Sequence, residues 1–189
     1  MQDSIVTRIL FILLSALPIH GVSAAPLNSK NVAVYRDEQA RFVLSYPISW
    51  ARVPSTHQRT RIKIVSEEGA GGEDCAVNVQ ELEGASNLSP AEAIRSLPNA
   101  RSYEHTLRTA LPDAKVVRSG KTYLSNQEAV FFVTTFTVRS VSLEVPMKSI
   151  VVQTARNGKL YTASCRSSPE RFEELMPIFQ VIFSGLLIK

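Results

Sequence analysis

Asn157-Gly158 stands between two stretches that read as extended chain, Leu143 to Ala155 and Leu160 to Cys165. Both central positions of a two-residue hairpin turn take φ > 0, which Asn tolerates and Gly adopts freely, so the dipeptide commits its flanks to antiparallel pairing. A chain with that commitment near its C-terminal end is expected to be building a sheet, and the sequence upstream agrees.

Arg41 to Pro47 alternates with Phe42, Leu44 and Tyr46 on one side, and Arg61 to Val65 alternates with Ile62 and Ile64 on one side. Such period-two patterning predicts half-buried strands. Trp50 to Thr60, with Pro54 and several polar residues, reads as the loop between them. Glu67 to Asp74 contains Gly69, Gly71 and Gly72 and reads as a solvated hairpin tip, followed by a strand whose Cys75, Val77 and Val79 share a face. From Ala114 a strand runs to about Leu124, and Ser125-Asn126 turns into Glu128 to Val138. There Phe131 and Val133 oppose Phe132 and Phe136, as in a strand covered on both faces. Pro146 removes a ladder donor from the next strand and predicts a bulge or an edge.

Two segments break the strand pattern. Ser89-Pro90-Ala91-Glu92 is a capping box with Pro at the first helical position, and Ile94 and Leu97 extend an apolar stripe. Pro98 interrupts it, and Tyr103, Leu107 and Leu111 resume the helical spacing until Pro112. The last element opens at Ser167-Ser168-Pro169-Glu170 and presents Phe172, Leu175, Met176 and Phe179, with Ile182 and Phe183 beyond Pro177, which predicts a kinked amphipathic helix closing one sheet face. Sequential antiparallel strands with helices inserted at two points give an α+β layout: an antiparallel β-sheet sandwiched by helices.

The N-terminus carries a different kind of signal. A basic start leads into the apolar run Ile9 to Leu17, followed by Pro18 and Gly21, and Val22-Ser23-Ala24 places small residues where a signal peptidase reads. The run is less than half of the roughly 20 residues that a spanning helix needs, so the chain is not expected to be an integral membrane protein. Cleavage after Ala24 leaves a 25–31 leader and a single 32–189 domain. With no Cys near the cleavage point, a lipid anchor is not expected, and the product is periplasmic or secreted.

Composition then limits the function classes. The net charge of +4 is spread along the chain without a lysine-rich tail, which does not suit nucleic-acid binding. Both cysteines, Cys75 and Cys165, lie in the exported part, and an even count in an oxidising compartment makes them a candidate disulfide. Each shares a strand face with apolar neighbours. Whether the two thiols meet depends on strand order, which the pattern does not determine.

The segment Phe42-Val43-Leu44-Ser45-Tyr46-Pro47-Ile48-Ser49-Trp50, the capped helix at Ser89, the meander through Asn157-Gly158 and the final Phe172 to Phe183 helix together resemble the PsbP/Mog1-like family across most of residues 32 to 185. The resemblance implies an antiparallel sheet between helices and an accessory role. Members with known roles are photosystem II extrinsic subunits and assembly factors, or a Ran GTPase cofactor. None of those partners, and no metal-ligand set, transfers onto residues of this chain.

The chemistry-bearing residues are sparse. His57 falls in the polar loop and His105 on the polar side of a helix, and neither is at i, i+4 from another ligand. No nucleophile elbow, phosphate loop or zinc-protease motif occurs, so no catalytic residue, cofactor or metal is assigned. Glu67, Glu68, Glu73 and Asp74 lack the spacing of a calcium loop. Arg59, Arg61 and Lys63 fall at period two and are expected to project from one strand face roughly 7 Å apart, a candidate surface for an acidic partner or anionic headgroups. Trp50 reads first as a core plug at the strand end, and its other reading joins it to this surface as a candidate anchor. The expectation is therefore an exported, non-catalytic accessory or binding protein of the cell envelope with an unknown protein partner. An exported hydrolase without a recognisable motif is the alternative.

Overall fold

A computed structural model describes residues 31–67, 72–82 and 88–189. The signal segment 1–24, the leader to residue 30, and Glu68, Gly69 and Gly71 of the expected hairpin tip lie outside the described residues.

The patterned stretches form strands β1 (Val32–Asp37), β2 (Phe42–Pro47), β3 (Trp50–Val53), β4 (Thr60–Ser66) and β5 (Asp74–Glu81). Helices α1 (Pro90–Arg95) and α2 (Ala100–Arg108) come next, followed by β6 (Lys115–Leu124), β7 (Gln127–Arg139), β8 (Glu144–Arg156) and β9 (Lys159–Ser167). Helix α3 (Pro169–Ser184) and β10 (Leu186–Ile188) complete the chain. The strands make two antiparallel sheets, one of three in the order β1-β2-β10 and one of seven in the order β3-β4-β5-β9-β8-β7-β6. The expected α+β class, with helices on the faces of an antiparallel sheet, is the observed one.

Local chemistry accounts for the joints. Asn157 (φ 51°) and Gly158 (φ 71°) both sit in the left-handed region, as do Ser125 (φ 53°) and Asn126 (φ 58°), so the β8–β9 and β6–β7 hairpins turn through the two-residue type that matches strand twist. The Ser89 hydroxyl accepts from the Glu92 N–H at 3.3 Å and the Glu92 carboxylate accepts from the Ser89 N–H at 2.8 Å, closing the capping box. After Pro98 the chain restarts at Asn99, whose side chain accepts from the Ser102 N–H at 3.0 Å and caps α2.

One face of the large sheet, called inner here, holds Ile62, Ile64, Val77, Val152 and Tyr161 against Phe42 and Leu44 of the small sheet and Phe172, Phe179 and Ile182 of α3. Tyr161 is fully buried, and its hydroxyl donates to the Ala40 carbonyl at 2.8 Å, so its one polar atom is satisfied.

Several expectations change. Trp50 to Thr60 is not all loop: Trp50–Val53 form β3 on the edge of β4, with Trp50 opposite Ser66. The indole packs edge-to-face on Phe179 at 6.4 Å, and that burial draws the segment onto the sheet. The last apolar residues form β10, which adds to β2 rather than extending α3. Gly185 makes this closure possible, because a Cβ there would run into the Ser45 carbonyl. Of the two readings of Pro146, the edge holds and the bulge does not. The proline pairs opposite Thr137 in an unbroken ladder, beyond Lys148 where β9 ends, so it has a strand neighbour on one side only. Helix α3 continues through Pro177 to Ser184.

Candidate binding cleft

The outer face of the large sheet is covered only in part. Tyr103 of α2 stacks on Phe132 of β7 with ring centroids 4.2 Å apart, and Leu107 and Leu111 pack on Ala114, Phe136 and Met147. Among the described residues, no element covers the outer faces of β4, β5 and β9 beside this helix, which leaves a cleft of about 370 Å³. The cause is visible in the strands. Outward positions carry Ala76 and Asn78 on β5 and Ser164 and Arg166 on β9, too small or too polar to gather a covering element.

The cleft is two-sided. Tyr103, Leu107 and Leu111 make an apolar wall, and Lys63, Asp74 and Arg166 make a charged one. Asp74, 8% exposed, uses one oxygen for both cations: its Oδ2 accepts from Arg166 Nε at 2.9 Å and Nη2 at 2.6 Å and lies 3.1 Å from Lys63 Nζ. On the floor, the buried hydroxyls of Thr134 and Ser149 share a hydrogen bond of 2.7 Å, and the Thr60 hydroxyl donates to the Asn78 side-chain oxygen Oδ1 at 2.6 Å. His57 reaches the rim from the β3–β4 loop, its Nδ1 accepting from the Arg59 N–H at 3.3 Å. Burial pushes the Tyr103 phenol up to about 12, so it stays protonated and serves the wall as an aromatic surface.

The candidate surface read from sequence does not survive as one row. Thr60 pairs with Asn78 and Ile62 with the adjacent Val77, so Arg61 is the extra residue of a bulge and the period-two alternation fails there. Lys63 lines the cleft with Asp74. Arg61 instead lies 3.9 Å from Asp37 of the small sheet, and Arg59 donates to Gln80 at 2.7 Å. Trp50 is 4% exposed and is core, so it offers no surface anchor. Of the acidic group, Glu67 is exposed, while Glu73 and Asp74 are buried at the start of β5. Glu73 is 2% exposed against the Arg171 guanidinium, and Asp74 is held as above. Cys75 and Cys165 face each other across β5 and β9 on the inner face and are joined by a disulfide. Asp74, Tyr103, Leu107 and Arg166 were missed as cleft residues. The one signal available was Arg166 itself, a charge placed between inward-facing strand positions.

Among the described residues, no group of His, Cys, Asp and Glu could hold a metal ion, and no helix is long and apolar enough to cross a membrane.

The family model described as PsbP matches residues 30–187. The solution structure of cyanobacterial PsbP (CyanoP) from Synechocystis sp. PCC 6803 aligns with a TM-score of 0.65 at 14% identity, over 86% of this chain and 95% of that one. LpqN, involved in cell envelope biogenesis of Mycobacterium tuberculosis, gives 0.54 at 14% identity over 78% of this chain and 83% of its own. The Saccharomyces cerevisiae Ran-binding protein Mog1p gives 0.52 at 9% identity over 84% and 95%. At these identities the likeness is one of fold. No curated protein sequence matches the chain.

Proposed function

The chain belongs to the PsbP family, and from that premise we propose that it is an exported accessory protein of the cell envelope that acts by binding a partner at the outer-face cleft. The observation that carries this reading is the cleft, a ligand-sized concavity with one apolar and one charged wall on a sheet whose other face carries the main core. Its floor of paired strands holds polar groups at fixed positions. Binding of this kind needs shape and a few fixed anchors, whereas turnover needs groups of matched pKa within reach of a reacting atom.

Export rests on the N-terminal pattern of charged start, apolar core and small-residue cleavage point, and on the cysteine pair, which suits an oxidising compartment. The proposed boundaries are a signal peptide at 1–24, a leader at 25–31 and one domain at 32–189. Among structures of the same fold, LpqN is involved in envelope biogenesis and Mog1p binds Ran, which fits accessory work by this scaffold. Of the surface residues read from sequence, Lys63 stays in the proposal as part of the charged wall.

The test is site-specific photocrosslinking in the intact envelope. A photoreactive phenylalanine analogue in place of Leu107 in the cleft should give a discrete crosslinked product, and the same analogue in place of exposed Leu187 on the small sheet should not. Equal products from both positions would remove the cleft from the proposal, and turnover of an ester, peptide or glycan by the purified protein would replace binding with hydrolysis. The mass of the envelope-extracted protein should begin at Ala25.

A further inference from the structure

The charged wall contains more positive charge than its own carboxylate answers. Lys63 and Arg166 both lean on Asp74, which leaves this trio with a net charge of +1. Between them an ammonium and a guanidinium carry eight N–H donors, of which Asp74 engages three through the single oxygen Oδ2. Arg166 and Lys63 keep 37% and 29% of their side chains exposed, and both line the cleft.

Across the cleft, Tyr103, Leu107 and Leu111 present apolar surface that α2 only half covers against the sheet. A small inorganic anion would answer the charge and leave this wall wet. A neutral amphiphile would cover the wall and leave the cations without a partner. Only a ligand with both features uses both walls, and a planar carboxylate suits the guanidinium fork.

Resting on the reading of the cleft as the binding site, we propose that its ligand is a carboxylate carried on an apolar body, with the carboxylate at Lys63 and Arg166 and the apolar part along Tyr103, Leu107 and Leu111. The volume of about 370 Å³ falls at the small end of ligand pockets, which run from about 300 to 1,000 Å³, and suits a short acyl chain or the last residues of a peptide.

Calorimetric titration of the disulfide-bonded protein tests this with two acids and their neutral counterparts. Octanoate is set against octanol, and N-acetyl-leucyl-leucine against its C-terminal amide. At least one acid should bind about tenfold more tightly than its counterpart, with NMR shifts at Leu107 and Leu111, and the tighter acid identifies the source of the carboxylate. Lys63→Gln, which keeps the Arg166–Asp74 pair and hence the fold, should weaken that acid about fivefold and leave its neutral counterpart unchanged. Acid and neutral forms binding alike, an acid indifferent to Lys63→Gln, shifts elsewhere on the surface, or no binding of either acid at millimolar concentration would each overturn the proposal. A crosslink from position 107 in the absence of acid binding would sink this inference alone and leave the binding role standing.

Discussion

On β5 and β9 the inward side chains are Cys75, Val77, Val79, Tyr161, Ala163 and Cys165, while the outward ones include Ala76, Asn78, Ser164 and Arg166. The same two strands thus supply a sealed core on one side and an open polar floor on the other. Side chains alternate faces along a strand, so stability and recognition can be encoded in one segment without competing for positions. The inner face meets the small sheet and α3, and the outer face meets α2 over only part of its width. Stability should therefore be concentrated on the inner side, and the outer side should tolerate change.

The sharpest way to break that contrast is to cut one anchor on each face. Phe179→Ala removes a fully buried ring from α3 and should cost about 3–5 kcal/mol in urea unfolding, whereas Leu107→Ala, from a half-buried site, should cost less than about 2. Equal losses would mean that the two faces share the load. Next in size is the inner-face disulfide, which spans 90 residues. The Cys75→Ala/Cys165→Ala double variant should lose about 2–4 kcal/mol, and reductant should lower wild type by a similar amount while leaving the variant unmoved.

A smaller and pH-selective effect belongs to the outer face. The Tyr103 phenol is pushed up to about 12 by burial, against an ordinary value of 10.0 in the unfolded chain. The folded state therefore holds its proton more tightly: this contribution is fully present below pH 10 and is lost as pH rises toward 12. The loss amounts to roughly 2–3 kcal/mol by proton linkage, and Tyr103→Phe should make the alkaline denaturation profile shallower by this amount, leaving the part due to Tyr161 and Tyr35, whose phenols burial also pushes up. The smallest effect is Lys63→Gln, expected to cost less than about 1 kcal/mol, because the pair is partly solvated and Arg166 still answers Asp74. A larger loss would make Lys63 a structural residue instead of a ligand-facing one.

The arginine row and the cysteine pair show where sequence reading stopped. Arg59, Arg61 and Lys63 looked like one face because period two holds along a regular strand, and the bulge at Arg61 that separates them depends on how β4 registers with β5. The inward direction of both cysteines was readable from Val77 and Tyr161 beside them, but their meeting required β5 to lie next to β9, across a chain separation of 90 residues. Trp50 is readable as a core plug, and its burial agrees, but its partner Phe179 lies too far along the chain for the sequence to announce it.

The sequence by itself determined the two-residue turns at Ser125-Asn126 and Asn157-Gly158, the capping box at Ser89 and which residues of most strands face inward, because these depend on φ preferences and hydrogen bonds spanning a few residues. Tertiary structure decided the order of the strands, the capture of β3 and β10 by their sheets, the fate of each cation and the cleft itself. Those outcomes depend on which apolar faces find each other across long stretches of chain, and the cleft exists because α2 has an apolar stripe wide enough to cover β6 to β8 and nothing with which to cover β4, β5 and β9.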